Sequence, residues 1–261
     1  LVIVVTYNGM KWIERCLYSV AMSRLKADIM VVDNGSTDGT PQYVQEEFPD
    51  AVLRILPDNP GFGAANNVGM RYALEKGYSY VYLLNQDAWI KNDTLGKLVE
   101  AFEASDRLGE HYGVISPMQM QAGWERADEN FLKYYRVSAP ISESGLKEIE
   151  FVMAAHWMIC SECLQQVGGF SPAFKQYGED DNWLHRAKYH NWRYGVYNDA
   201  YAVHDRAKRQ VSKEKRMNLK CVATVVKISD PNACAAWRIV REVLELVGMS
   251  VKNASIIPIK Y

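Results

Sequence analysis

Short apolar runs alternate with helically spaced segments through the first third of the chain. Leu1–Thr6 is apolar and strand-like, and Tyr7-Asn8-Gly9 turns it. Trp12, Cys16, Leu17, Val20 and Ala21 then recur on one helix face up to about Ser23. Ile29–Val32 predicts a second strand, stopped by Asp33-Asn34-Gly35-Ser36-Thr37-Asp38-Gly39. A helix from Pro41 to Phe48 follows, with proline in its first position. Val52–Leu56 predicts a third strand, and Asn59-Pro60-Gly61-Phe62-Gly63 leads into a long helix that Gly77 closes. The run Val81-Tyr82-Leu83-Leu84 predicts a fourth strand, ending in Asn85, Gln86 and Asp87.

Repeated strand–helix units of this kind predict an α/β fold with a Rossmann-like, mostly parallel central sheet flanked by helices. Right-handed crossovers put the strand-to-helix turns at one sheet edge. Thr6–Gly9, Asp33–Gly39, Asn59–Gly63 and Asn85–Asp87 are therefore expected to converge on one crevice suited to a nucleotide. At the carboxyl end of a buried strand, Asp87 is placed to hold a metal–phosphate. Capping of the next helix is the competing role, and Asn92 and Asp93 are better placed for it.

Further on, a helix is predicted from about Thr94 to Arg107 and a strand near Val114–Met118. Between Gln119 and Ile149 periodicity is lost, and polar residues alternate with Trp124, Phe131, Tyr134 and Tyr135, as in a hairpin or flap leaving the core. Phe151–Ile159 reads as a buried strand and Ser161–Val167 as a helix broken by Gly168-Gly169. Glu179-Asp180-Asp181 opens a helix whose buried face is Trp183, Leu184 and Ala187. One of the three acids is then expected to aim into the site, although acids at a helix start also complement its dipole. Trp192–Val203 predicts one or two strands, with a turn at Asn198-Asp199, ending at His204. The tail begins basic (Arg206, Lys208, Arg209, Lys213, Lys215, Arg216) and closes with an amphipathic helix over about Ala233–Val247.

With 261 residues, 48% hydrophobic, the chain is long enough for one large α/β domain or two small ones. A formal net charge of −1 gives no reason to expect a nucleic-acid partner. Five scattered cysteines suggest reduced thiols. Cys160 and Cys163 form a CxxC without a second pair or a matching His spacing, which favours core packing over a zinc or redox role. No stretch reaches the roughly 18 apolar residues of a membrane span, and no signal peptide is visible. Leu1 opens directly in a strand, so we expect a native start upstream. A cytoplasmic location is expected, with peripheral attachment at the inner face of the plasma membrane left open by the basic tail.

Five segments carry a family resemblance: VVTYNG (Val4–Gly9), VVDNGSTDGT (Val31–Thr40), NPGFGAANNVGM (Asn59–Met70), LLNQDA (Leu83–Ala88) and VGGF…F…YGEDDNWLHR (Val167–Arg186). Their order and spacing resemble inverting glycosyltransferases of the GT-A fold, glycosyltransferase family 2, in the rhamnosyltransferase-like branch. The resemblance runs from about Val2 to His204. It implies a catalytic domain over residues 1–205, with a nucleotide-binding half to about 118 and an acceptor-side half from about 119. Residues 206–261 would form a helical tail. It further implies that Thr6, Tyr7, Asn8, Asp33, Asn67 and Asn85 lie at the nucleotide, and that Asp87 and His204 complete a metal or diphosphate site. Asp180 would be the general base, and the donor a nucleotide-diphosphate sugar such as a UDP- or dTDP-sugar. The acceptor would be a saccharide or a lipid-linked one in cell-surface polysaccharide synthesis. Asn85 replaces the first acid of the family's DxD motif, Asn182 a second acid after Asp180, and Ser171-Pro172 the usual Asp-Glu.

The chemistry agrees with those roles. A departing nucleoside diphosphate favours a hard divalent cation, Mn²⁺ or Mg²⁺, on oxygen ligands. Inversion by direct displacement needs one carboxylate to deprotonate the acceptor hydroxyl. Glu179, His156, Trp157 and Tyr177 offer polar and aromatic surface for that acceptor, with core packing an equal alternative for them. Two other functions compete: a nucleotidyltransferase, which normally carries a basic Gly-rich loop after its first strand, and an inactive sugar-binding module on the same fold. The absence of GxGxxG and GxxxxGK[ST] patterns disfavours dinucleotide dehydrogenases and P-loop enzymes.

Overall fold

The computed structural model describes residues 1–136, 140–205, 213–233 and 235–253. Its elements are, in order, β1 (Val2–Thr6), α1 (Ile13–Ala21), β2 (Ile29–Asp33), α2 (Thr40–Glu47), β3 (Val52–Ile55), α3 (Phe62–Lys76), β4 (Tyr80–Asn85), β5 (Ala88–Ile90) and α4 (Thr94–Arg107). There follow β6 (Tyr112–Met120), α5 (Glu129–Tyr135), β7 (Leu146–Glu148), β8 (His156–Cys160), α6 (Ser161–Val167), α7 (Glu179–Tyr189), β9 (Arg193–His204), α8 (Lys213–Ile228) and α9 (Ala235–Asn253).

Among the described residues the strands form one nine-stranded sheet in the order β3-β2-β1-β4-β8-β6-β9-β5, with β7 also on β9. The first four are parallel. Beyond β4 the pairing is mixed: β8 runs antiparallel to β4 and β6, β9 parallel to β6, and β5 and β7 antiparallel to β9. Side chains alternate across each strand. In β1, Val2 and Val4 therefore pack with Ile13, Cys16, Leu98 and Phe102 on one face. Ile3 and Val5 join Ala65, Met70, Trp157 and Trp183 on the other. Helices cover both faces, which is why all five β1 residues are buried. Gly69 lets α3 lie directly on the sheet, since a Cβ there would sit 2.7 Å from Ile3 Cδ1.

Several expectations give way to the observed chain. The expected flap contains a helix, α5, whose first turn is capped by Asp128 accepting from Phe131 N at 2.8 Å, and whose Phe131 is buried. The predicted strand from Phe151 forms a ladder only from His156, and the turn expected at Asn198-Asp199 lies within continuous strand β9, the one-strand alternative, with a register shift against β6. Asp87 is followed by the short strand β5, which the sequence pattern hid. Arg206, Lys208, Arg209 and Cys234 lie outside the described residues. No described helix is long and apolar enough to cross a membrane. Cys16, Cys160, Cys163 and Cys221 are free thiols, with Cys163 fully buried on the inner face of α6.

Candidate active site

The carboxyl ends of β1 and β2 are laced together by side chains. Asp33 is wholly buried; its carboxylate accepts from Thr6 Oγ1 at 2.6 Å, Ser36 N at 2.7 Å and Ser36 Oγ at 2.5 Å. Asn8, in the left-handed region at φ 49°, donates its N–H to Ser36 Oγ and accepts from Thr37 N through Oδ1. Gly9 N reaches Thr40 Oγ1 and Met10 N reaches Asp38 Oδ2. Gln86 fastens the β4 turn to this pair, accepting from Tyr7 N at 2.8 Å and donating to Tyr7 O at 3.2 Å. Three of the four turns expected to converge are thus joined, with Tyr7 exposed at their rim, while the turn at Gly61 packs against the Lys175 backbone.

Three residues expected at the nucleotide are engaged within the protein. The Thr6 hydroxyl and the Asp33 carboxylate are buried and bond to each other and to Ser36, which fixes the two turns. Asn67 does not face the crevice. Its Nδ2 donates to Phe170 O and its Oδ1 accepts from Phe170 N, at 2.9 and 2.7 Å, so both ends of the amide hold the Gly168-Gly169-Phe170 turn.

The β4 turn and the end of β9 meet through sheet register. Ala88 pairs with His204 across the β5–β9 ladder, and Asp205 N donates to Asp87 O at 2.8 Å. His204 Nε2 comes within 3.3 Å of Asp87 Oδ1 and 3.5 Å of Asn85 Nδ2. Asn85 Oδ1 is buried with no hydrogen-bond partner. A carboxylate, an imidazole and an unspent amide oxygen at one point suit Mn²⁺ or Mg²⁺, with remaining positions left to phosphate and water. No set of three His, Cys, Asp or Glu side chains among the described residues encloses a metal unaided.

These residues line one crevice of about 1430 Å³ together with Phe62, Tyr177 and the acids that open α7. Gly178, at φ 82°, precedes that helix. The helix is anchored from below: Trp183 Nε1 donates to Gly168 O, and Arg186 donates to Val167 O and Gly169 O. Burial first, and then the charge of Asp180, push Glu179 and Asp181 up to about 7. Glu179 is 7% exposed, and its Oε2 has no hydrogen-bond partner. The three acids thus share the crevice wall, with the Asp180 charge acting on both neighbours.

His156 and Trp157, expected to offer acceptor surface, are core residues with no exposure. His156 spends Nδ1 on Tyr82 OH and Nε2 on Val203 O. Trp157 donates to Val152 O and packs at 5.6 Å from Trp183. Conversely, Asp205, His185 and Asp230 line the crevice and escaped the sequence reading. Asp205, adjacent to His204 at a strand end, carried a signal; it accepts from Trp12 Nε1 at 3.3 Å. The α8 wall of Leu219, Val222, Ala223 and Val226 carried none, because its spacing is that of any amphipathic helix.

An open α/β sheet, parallel over its first four strands, mixed beyond them and flanked by helices, is the GT-A fold of nucleotide-sugar transferases. The model of glycosyl transferase family 2 matches residues 1–166, and the chain belongs to that family. The uncharacterized glycosyltransferase alr2836 of Nostoc sp. is 35% identical over 112 residues, covering 41% of this chain and 34% of that protein. The low-salt glycan biosynthesis hexosyltransferase Agl10 of Haloferax volcanii is 25% identical over 213 residues, covering 78% and 66%. An N-acetylglucosaminyl-diphospho-decaprenol L-rhamnosyltransferase of Mycobacterium tuberculosis is 39% identical over 69 residues, covering 25% and 22%. The matches therefore span less than two thirds of these relatives' lengths. Among solved structures, S. aureus TarS shares the fold with a TM-score of 0.65 at 23% identity, covering 91% of this chain and 41% of that one. The mannosyltransferase PcManGT from Pyrobaculum calidifontis, solved in complex with GDP-Man and Mn²⁺, gives 0.59 at 21% identity, covering 91% and 65%.

Proposed function

We propose that this chain is an inverting glycosyltransferase acting on a nucleotide-diphosphate sugar, with Asp180 as the general base. The observation that carries the reading is the β5–β9 register, which sets His204 against Asp87 in the crevice that Asp180 also lines. A divalent cation, Mn²⁺ or Mg²⁺, held by Asp87 and His204, would offset the charge of the departing diphosphate. Asp180 takes the proton of an acceptor hydroxyl as its oxygen bonds to the anomeric carbon and the bond to the diphosphate oxygen breaks. Burial, reinforced by the charge of Asp180, raises Glu179 and Asp181 to about 7, so near neutrality their protonated forms are well populated and donate hydrogen bonds to acceptor hydroxyls. Tyr177, 37% exposed at the same wall, supplies a face for a sugar ring.

The named activities of Agl10 and of the rhamnosyltransferase favour a hexose or deoxyhexose donor and an acceptor, saccharide or lipid-linked, in surface glycan synthesis. The complex of PcManGT with GDP-Man and Mn²⁺ favours the metal. Asn182, where the family has an acid, argues little for an inactive module: it is 4% exposed and spent on Ser229 Oγ and Arg186 Nε. Calorimetric titration of nucleoside diphosphates with Mn²⁺ tests the metal assignment. Asp87→Asn should abolish the Mn²⁺-linked part of the affinity, and a variant with that part intact would refute it. Donor hydrolysis that requires Mn²⁺ would dismiss the inactive module and the nucleotidyltransferase alike.

A further inference from the structure

The closing helix α9 is turned inside out. It meets the rest of the chain through Glu242, Leu246 and Ser250, one line of positions four residues apart, all buried. Glu242 has no exposure and receives Lys227 Nζ of α8 at 3.5 Å and Arg241 at 2.8 Å. A charge and a hydroxyl thus face inward. Apart from Leu246, the large aliphatic side chains described on α9 face out: Ile239, Val240, Val243, Leu244, Val247 and Val251 are 40 to 77% exposed. At about 100° per residue these six fall within roughly 140° of arc, along about 18 Å of helix. Arg241 and Glu245 lie on the opposite arc. A helix of a soluble domain normally turns such a stripe to its core, and contiguous apolar patches of this kind mark interaction sites.

We propose that this face docks on an anionic lipid surface, with α9 lying in the plane of the interface. Charge selects the partner. Residues 206–261 contain twelve Lys and Arg against four Asp and Glu, a net of +8, whereas residues 1–205 hold eighteen against twenty-seven, a net of −9. On α8, against which α9 lies, Arg216, Lys220 and Lys227 are exposed. An apolar stripe beside basic side chains is the combination that binds anionic bilayers at their surface. A second copy of the chain fits less well, because a two-fold contact through α9 gives each copy's exposed Arg216, Lys220 and Lys227 only like charge on the mate's α8 to meet. No described helix can span a bilayer, so the contact is interfacial. Docking of α9 also brings the bilayer to the helix hairpin whose other member, α8, walls the crevice.

Flotation of the full chain with vesicles tests this, using phosphatidylcholine with and without phosphatidylglycerol at low and high salt. The wild type should float with the anionic vesicles at low salt, remain behind with phosphatidylcholine alone, and be released by salt. The combined substitution Leu244→Ser, Val247→Ser and Val251→Ser changes exposed positions, so it should keep the melting temperature while reducing bound protein about tenfold or more. Failure of the wild type to float, or unchanged flotation of the triple variant, overturns the proposal. Light scattering that shows a wild-type dimer dissolved by the same substitutions assigns the face to self-association and equally overturns it.

Discussion

Replacing Gly178 by alanine probes the joint between the start of α7, which carries the proposed base, and α8. Gly178 holds φ at +82°, where a side chain costs about 1–2 kcal/mol. The added Cβ would lie 2.6 Å from Val222 Cγ1 and 2.8 Å from Val226 Cγ2, against about 3.5–4.0 Å for relaxed carbon contacts. Either α8 recedes by roughly an ångström or the Gly178 turn moves, and overpacking of that size costs about 1–3 kcal/mol. The sum, about 2–5 kcal/mol, corresponds to a melting point lower by roughly 5–15 °C for a chain of this length. Asp180 stands two residues further on, so its carboxylate moves with the turn, and an ångström there is worth up to about 10²-fold in turnover. Scanning calorimetry and initial rates read both effects. Adding Val226→Ala removes one clash while leaving the backbone strain, and should restore part of the turnover and less of the stability. A Gly178→Ala protein melting within about 1 °C of wild type at unchanged rate would refute the wedge of α8 against this turn.

Asp33→Ala strips the acceptor from Thr6 Oγ1, Ser36 N and Ser36 Oγ at once and should cost about 3–5 kcal/mol of unfolding free energy; wild-type stability with only weaker nucleotide binding would return Asp33 to a ligand role. Asn67→Ala should likewise lower stability by about 1–3 kcal/mol through the loosened Phe170 turn, and a loss confined to donor affinity would contradict that. Glu179 rises from 4.5 and Asp181 from 3.8 to about 7 on folding. Between those limits the native chain holds protons that the unfolded chain has released, so stability is highest below about pH 4 for these groups and falls as pH climbs toward 7. Urea midpoints should show that decline, flattened in Glu179→Gln, and a rise across the window would refute the burial of these acids.

Local pattern predicted the elements well where one face is buried and turns are marked by Gly, Asn or Asp. The α4 boundaries at Thr94 and Arg107 and the left-handed Gly77 cap are examples. What the sequence hid is long-range pairing. Asp87 and His204 are brought together by a strand of three residues, too short to show a period, and by the antiparallel return of β9. His156 and Asn67 misled for another reason. A polar side chain in an apolar run looks available until both ends of it are found bonded inside the fold. Helix α9 shows the converse, since amphipathic spacing reveals that a stripe exists and not which way it faces.

The account stands or falls on the transfer step at Asp180. Mn²⁺-dependent turnover of a nucleotide-sugar donor, measured for Asp180→Asn beside wild type and Asp181→Asn, tests it most directly. Exchange of the carboxylate for an amide keeps shape and removes the proton acceptor. Turnover should fall by about 10²–10⁴-fold with donor affinity nearly unchanged, and Asp181→Asn should be far milder. An Asp180→Asn protein that transfers at the wild-type rate, or an Asp181→Asn protein that proves the crippled one, would contradict the assignment of the base.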